Sequence, residues 1–321
     1  MSQSVDFSPL GLAIGHATDV AGATGCTVVR ALAGGLRCGG IQLGRATGSR
    51  EFALATPAHS VDRIDAVLLT GGSAYGLDAA AGVMRWMEER GRGFPIAGGV
   101  VPLVPAAVIF DLAPLGSFKA RPTPDMAYAA CDRATTLPVE GSVGAGTGAT
   151  VGKAAGGARA MKGGFGAWIA RAGEIVVGAM AVTNAFGDVR DARGNIIAGA
   201  RGDGGTFLDA TKLLTGGSPQ RESEGGMQHT TISVVATNAQ LSRVELQQLA
   251  SAPAGAYYRR ITPCGTSFDG DTIFALGPER GGITAAPVAV EALAVQVMEM
   301  AIERSVRRAQ GRDGIPGLTP P

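Results

Sequence analysis

The sequence predicts an α/β protein whose β-structure is covered on both faces. Two observations carry that expectation. Strand-like runs recur along the chain with apolar residues on both faces, and stretches with helical apolar spacing lie between them. With 45% of its 321 residues hydrophobic, the chain can bury a sizeable core. The strand-like runs are residues 26–31, 65–70, 106–110, 174–182, 232–237 and 272–276. Residues 77–90 carry Leu77, Ala80, Ala81, Met84 and Met87 at helical spacing and stop at Gly91. Residues 242–250 open with Ser-Arg-Val-Glu, a capping box that ties the first amides of a helix. The last helix, about 286–310, has acidic Glu291 early and Arg304, Arg307 and Arg308 late, an order that suits the helix dipole. Residues 216–229 are polar, glycine-rich and without periodicity, and read as a linker. The strand pattern Thr230-Thr-Ile-Ser-Val-Val-Ala-Thr237 follows directly.

Composition excludes several classes. Glycine contributes 50 residues, about twice the usual share, but with no Gly-X-Y period, so collagen is out. A formal charge of +1, no long basic run and 5% aromatics argue against a nucleic-acid partner. Cys26, Cys38, Cys131 and Cys264 show neither C-x-x-C nor zinc spacing and read as reduced, buried thiols. The N-terminus lacks a basic segment followed by an apolar stretch. The uncharged run 93–110 holds Pro95, Pro102 and Pro105, a poor membrane helix. A cytoplasmic protein without a membrane partner is therefore expected.

Most motif-like stretches fail on spacing. A phosphate loop over Gly144-Ala-Gly-Thr-Gly-Ala-Thr-Val-Gly-Lys153 would need Gly where Thr147 stands and Ser or Thr where Ala154 stands. A tight backbone turn packed against other backbone is the better reading. Lys153 stands out because an ammonium in a charge-poor tract can sit near reacting atoms; Lys162 is the rival, and exposure is the bland reading for both. Gly71-Gly-Ser-Ala-Tyr-Gly76 is not a nucleophile elbow, because Tyr75 holds the last glycine position. His16, His59 and His229 have no metal spacing. Asp269 and Asp271, in Phe268-Asp-Gly-Asp271, would face one side of an extended segment. They could form a solvated turn, a weak metal site, or a hold on an amine. Asn184 ends an apolar strand, as a cap or as a functional donor.

Thr230 has an unusual setting. A hydroxyl at the junction of a linker and a buried strand can attack the carbonyl before it. Cleavage there leaves a threonine with a free α-amine, whose reference pKa of about 7.7–8.0 lets it serve as a base. Threonine paired with its own amine is a recognised activated nucleophile.

The chain resembles the self-processing peptidase family of L-aminopeptidase/D-esterases, β-peptidyl aminopeptidases and nylon-oligomer hydrolases. The resemblance rests on Gly15-His-Ala-Thr-Asp19, Leu69-Thr-Gly-Gly-Ser-Ala-Tyr-Gly-Leu-Asp78, the tract from Val143 to Lys153, Val182-Thr-Asn-Ala-Phe-Gly-Asp188, the run from Thr230 to Asn238, and Phe268-Asp-Gly-Asp271, in that order. It implies a four-layer α/β/β/α sandwich of the N-terminal-nucleophile type, shared with ornithine acetyltransferases and usually assembled as a homotetramer. It implies a single domain, residues 1–321, cut between His229 and Thr230 into a large fragment, 1–229, and a small one, 230–321. Thr230 with Asp269 and Asp271 resembles the nylon-hydrolase branch; Lys153 and Asn184 complete the family's catalytic set. Two departures stand out. Nylon hydrolases have Asn before the cut, where this chain has His229, and relatives place a pocket Tyr where this chain has Phe110. Tyr75 and Phe110 are the expected pocket residues.

The implied enzyme is an amidohydrolase of short peptides or amino-terminated oligoamides that needs no metal and no organic cofactor. Asn184 would donate to the oxyanion, Lys153 would add positive charge and keep the amine neutral, and Asp269 and Asp271 would orient the amine or bind a substrate ammonium. The rivals are an acyltransferase like the ornithine acetyltransferases, and a non-catalytic binding protein on the same scaffold.

Overall fold

The computed structural model describes residues 5–216 and 229–320. Most of the expected linker, residues 217–228, lies outside them. Two five-stranded sheets stack face to face. In spatial order the first contains Leu12–Asp19, Thr24–Ala31, Ala66–Thr70, Ala106–Val108 and Ser49–Arg50. The second contains Gly164–Ala172, Ile175–Asn184, Thr230–Thr237, Thr272–Pro278 and Leu36–Gln42. Across each sheet the pairings run antiparallel, antiparallel, parallel, antiparallel.

Alternation along the strands makes the layers. Val67 and Leu69 of the first sheet face Met180, Val182, Ile232 and Val234 of the second in the central core. The opposite faces meet helices. Ala66 and Leu68 pack with Val83 and Met87 of the helix Ala80–Glu88 and with Ala127 and Ala130 of Pro124–Asp132. Val177, Ala179 and Val235 pack with Leu246 of Arg243–Ser251, Tyr257 of Ala254–Arg260, and Ala294 and Met298 of Pro287–Arg307. The order is helix, sheet, sheet, helix, the expected four layers. The capping box forms as predicted, with the Ser242 hydroxyl accepting from the Glu245 N–H and the Glu245 carboxylate from the Ser242 N–H. The 77–90 helix is shorter than its periodicity suggested: a 3₁₀ stretch, Ser73–Ala79, precedes Ala80–Glu88.

Among the longer strands of the two sheets, Leu12–Asp19, Leu36–Gln42 and Gly164–Ala172 escape the periodicity reading. Each contains interior glycine, which ordinarily weakens a strand. Here glycine lets a helix approach the sheet. A Cβ on Gly39 would fall 2.3 Å from the Leu246 carbonyl oxygen, and one on Gly166 would fall 2.2 Å from that of Ala301. The glycine-rich tract from Val143 to Lys153 is the close-packed backbone expected. A Cβ on Gly146 would meet the Phe165 nitrogen at 2.3 Å, and one on Gly148 the Ala23 oxygen at 2.1 Å. Among the described residues, no helix is long and apolar enough to cross a membrane, and no cluster of metal-ligating side chains forms.

Candidate active site

The topology gathers the candidate residues at one end of the second sheet. Thr230–Thr237 and Thr272–Pro278 run parallel, so the residues that lead into both strands lie side by side. Ile175–Asn184 runs the other way and ends opposite them, with Asn184 in register with Thr230. Residues far apart in sequence thus meet because two strands begin where a third ends.

Thr230 is 5% exposed. Its hydroxyl donates to the carbonyl oxygen of His229 at 2.5 Å, so the Oγ1 lies against the peptide bond that joins the two residues. The same oxygen accepts the Gly270 N–H at 2.8 Å. A Cβ on Gly270 would lie 2.8 Å from Thr230 Oγ1 and 2.7 Å from the Ala46 oxygen, so only glycine fits between the two aspartates.

Asp269 and Asp271 are both buried and are held differently. Asp269 Oδ2 accepts the Thr266 N–H at 2.9 Å and the Thr266 hydroxyl at 2.6 Å. Asp271 Oδ1 accepts the Thr231 N–H at 2.6 Å, and its Oδ2 accepts the Gly265 N–H at 3.0 Å. Burial raises both carboxyl groups; the Asp269 charge helps push Asp271 up to about 7. Their burial excludes a solvated turn. Asp271 fixes the amide one residue beyond Thr230, and Asp269 lies within electrostatic reach of Lys153.

Lys153 is buried, and its Nζ donates to the Asn184 backbone oxygen and to Asn184 Oδ1, both at 2.9 Å. Asn184 Oδ1 also accepts the Thr150 N–H at 3.0 Å, while its Nδ2 donates to the Phe110 oxygen at 3.0 Å. Two donors on one side and an acceptor on the other fix the orientation of the amide. Burial pulls the Lys153 ammonium down to about 7, and the Asp269 and Asp111 carboxylates work to keep it charged. The His229 carbonyl receives its backbone donor from Gly270, while Asn184 holds Lys153.

His229 is buried as well, its ring 4.7 Å from that of Phe186, which lies 5.9 Å from Phe268. Burial, helped by the Lys153 charge, keeps the imidazole neutral, with a pKa near 2. The Phe110 backbone oxygen belongs to the site through Asn184, and its ring is half-buried. Tyr75 is 55% exposed, its ring covered by the Arg121 guanidinium at 3.4 Å. The loop before Tyr75 reaches the back of the site, where the Gly72 N–H donates to Asp111 at 2.6 Å.

Sequence reasoning missed Asp111, Gly270 and Phe186. Gly270 and Phe186 stood inside quoted motifs as unremarked letters. Asp111 directly follows Phe110 past a strand end; it is buried, accepts the Thr24 hydroxyl at 2.7 Å, and is pushed up to about 6 by burial. His16 is structural, its Nδ1 2.9 Å from the Thr27 hydroxyl and its ring edge-on to Phe165.

Residues 10–319 match the model of peptidase family S58. The chain belongs to that family. It is 38% identical to an uncharacterized aminopeptidase of Mycobacterium tuberculosis over 292 residues, covering 85% of this chain and 83% of that protein. A Mycobacterium leprae uncharacterized aminopeptidase is 41% identical over 243 residues, covering 73% of this chain and 65% of that protein. A 6-aminohexanoate-oligomer endohydrolase of Kocuria is 32% identical, covering 92% of this chain and 84% of that protein. Among solved structures, the L-aminopeptidase D-Ala-esterase/amidase of Ochrobactrum anthropi superposes with a TM-score of 0.70 at 18% identity, over 98% of this chain and 90% of that one. That structure carries a variant of the N-terminal-nucleophile hydrolase fold, and this S58 chain has the same fold. As a member of the peptidase family, it is a hydrolase of amide bonds. The relatives bear peptidase and oligoamide-hydrolase names, which disfavours the acyltransferase and non-catalytic rivals.

Proposed function

We propose that this S58 chain is a precursor that cuts itself between His229 and Thr230, and that the freed Thr230 then hydrolyses amides of short peptides or amino-terminated oligoamides. The observation that carries the proposal is the 2.5 Å approach of Thr230 Oγ1 to the His229 carbonyl oxygen, with Gly270 donating to that oxygen from the other strand.

In the first phase Oγ1 bonds to the His229 carbonyl carbon and the C–N bond breaks. The hydroxyl proton ends on the departing Thr230 nitrogen, and the product is an ester. Negative charge on the oxygen is met by the Gly270 N–H, a donor of a kind worth ~10²–10³ in rate, and by the Lys153 ammonium, whose charge reaches His229. Water then hydrolyses the ester, leaving a carboxylate on His229 and a free amine on Thr230. In the second phase that amine takes the hydroxyl proton while Oγ1 attacks a substrate amide, forming an acyl-enzyme that water releases. The two carboxylates leave the role of base to the amine. Asp271 holds the strand beside it through the Thr231 N–H, and Asp269 offers charge to a substrate ammonium. The burial of Thr230 supports this order, since an outside amide must wait for the cut. Asn184 serves in this scheme by locking Lys153. The S58 protein is further proposed to work as a homotetramer, which light scattering would check.

The test is a denaturing gel. Fresh wild-type protein should give fragments corresponding to residues 1–229 and 230–321, and Thr230→Ala should run as one intact band without amidase activity. Two bands from the alanine variant would assign the cut to an outside protease and end the proposal.

A further inference from the structure

The ester formed during the cut is itself an acyl-enzyme: an acyl group on Thr230 Oγ1 whose carbonyl oxygen sits at the Gly270 N–H. Its acyl residue is His229. Whatever surrounds the His229 side chain in the uncut chain therefore surrounds the acyl residue of a substrate at the same stage. That wall is aromatic. The imidazole lies against Phe186 with an interplanar angle of 46°, and Phe268 continues the surface. Phe186 is almost fully buried and Phe268 is 42% exposed, so the pocket has a closed inner wall and an open outer one. The Lys153 N–H donates to the Phe186 oxygen at 2.9 Å, tying the inner wall to the charged centre. His229 Nδ1 is buried and finds no hydrogen-bond partner among the described residues. The ring is thus held by a tilted aromatic contact and by shape, beside a buried ammonium that disfavours a second positive charge.

We propose that Phe186 and Phe268 are the acyl side-chain subsite, that His229 fills it as an internal substrate before the cut, and that the mature enzyme favours amides whose acyl residue carries a neutral aromatic side chain. The proposal rests on Thr230 being the nucleophile.

The experiment measures kcat/KM of the processed enzyme on the p-nitroanilides of phenylalanine, alanine and lysine, with the matured Phe186→Leu and Phe268→Ala variants alongside. Phenylalanine should lead alanine by about tenfold or more, with lysine last, and each variant should lower the phenylalanine-to-alanine ratio about tenfold, the scale set by pocket contacts. A ratio unmoved in both variants, with the alanine substrate still cleaved, overturns the aromatic subsite and leaves the Thr230 reading standing. Cleavage that survives Thr230→Ala overturns the Thr230 reading, and the subsite falls with it. Precursor maturation gives a second readout that needs no added substrate. His229→Phe should mature within a few-fold of wild type, and His229→Lys should be slower by about a hundredfold. Equal maturation of the two overturns the proposal.

Discussion

Lys153 and Lys162 lie close in sequence, both buried, and burial pulls both ammonium groups down to about 7. By residue type, setting and proton affinity they are alike; their partners set them apart. The Lys162 Nζ donates to the backbone oxygens of Gly146, Ala149 and Gly163 at 2.9, 2.9 and 2.7 Å. An ammonium has three protons, and three carbonyls take them, so Lys162 is a backbone clasp. The Lys153 Nζ donates to both oxygens of Asn184, the residue opposite Thr230, and answers to the carboxylates of Asp269 and Asp111. A buried lysine is a structural tie when backbone carbonyls saturate it; on the proposed reaction, the neighbours of Lys153 make it a chemical group.

The largest expected effect breaks or confirms that distinction directly. Lys153→Met should slow self-cleavage by ~10²–10³, because the oxygen charge loses its ammonium. Lys162→Met takes a donor from three buried carbonyls, of which those of Ala149 and Gly146 keep a backbone N–H, so it should lower the melting temperature while the folded fraction still cuts. A gel time course beside thermal denaturation separates the two. A folded Lys162→Met protein that never cuts would erase the contrast. Gly270→Ala comes next. Its methyl group would press on Thr230 Oγ1 and the Ala46 oxygen, and the N–H that serves the His229 carbonyl must move. A slowing of about tenfold to a hundredfold is expected in the same time course, with the Lys162 clasp untouched.

The sequence showed the chemistry of this site more clearly than its geometry. Lys153 was visible as an ammonium in a charge-poor tract, Thr230 as a hydroxyl where a linker meets a strand, Asn184 as the end of an apolar strand and Asp269 with Asp271 as a carboxylate pair; the family resemblance grouped them, and the fold brings all five to one sheet end. The parallel pairing of Thr230–Thr237 with Thr272–Pro278 was not visible, since no local pattern specifies which strands become neighbours. Gly270 acquires its role only through that pairing. Asp111 is similar: it belongs to the site because Phe110 crosses from the first sheet to Asn184 in the second. The glycine-bearing strands were lost for a related reason. Gly39 and Gly166 read as strand breakers until helices lie directly on them. Separating Lys153 from Lys162 likewise required knowing which oxygens each ammonium meets.

Asp111 gives the smallest effect and the sharpest test, because its charge reaches both lysines. Burial raises its carboxyl from 3.8 to about 6. Between those values the folded protein keeps a proton that the unfolded chain has released, so this group's contribution to stability falls as pH rises from 4 to 6 and is flat above. The loss is ~3 kcal/mol across that window. Asp111→Asn removes this slope, so wild type should lose several degrees of melting temperature relative to the variant between pH 4 and 6. The variant also takes from both lysines a carboxylate that favours their charged forms. If only Lys153 must be charged for the cut, the maturation rate should fall above about pH 7 in wild type, and the fall should begin at lower pH in Asp111→Asn. The shift should be roughly half a pH unit, the size of one partly screened neighbouring charge. Maturation is the reaction to follow, because the uncut chain has no Thr230 amine to titrate in the same range. In Lys162→Met the same alkaline fall should persist, at its wild-type position or slightly above it, because the two ammonium groups repel each other; if it vanishes there and survives in Lys153→Met, the two lysines have been given each other's roles.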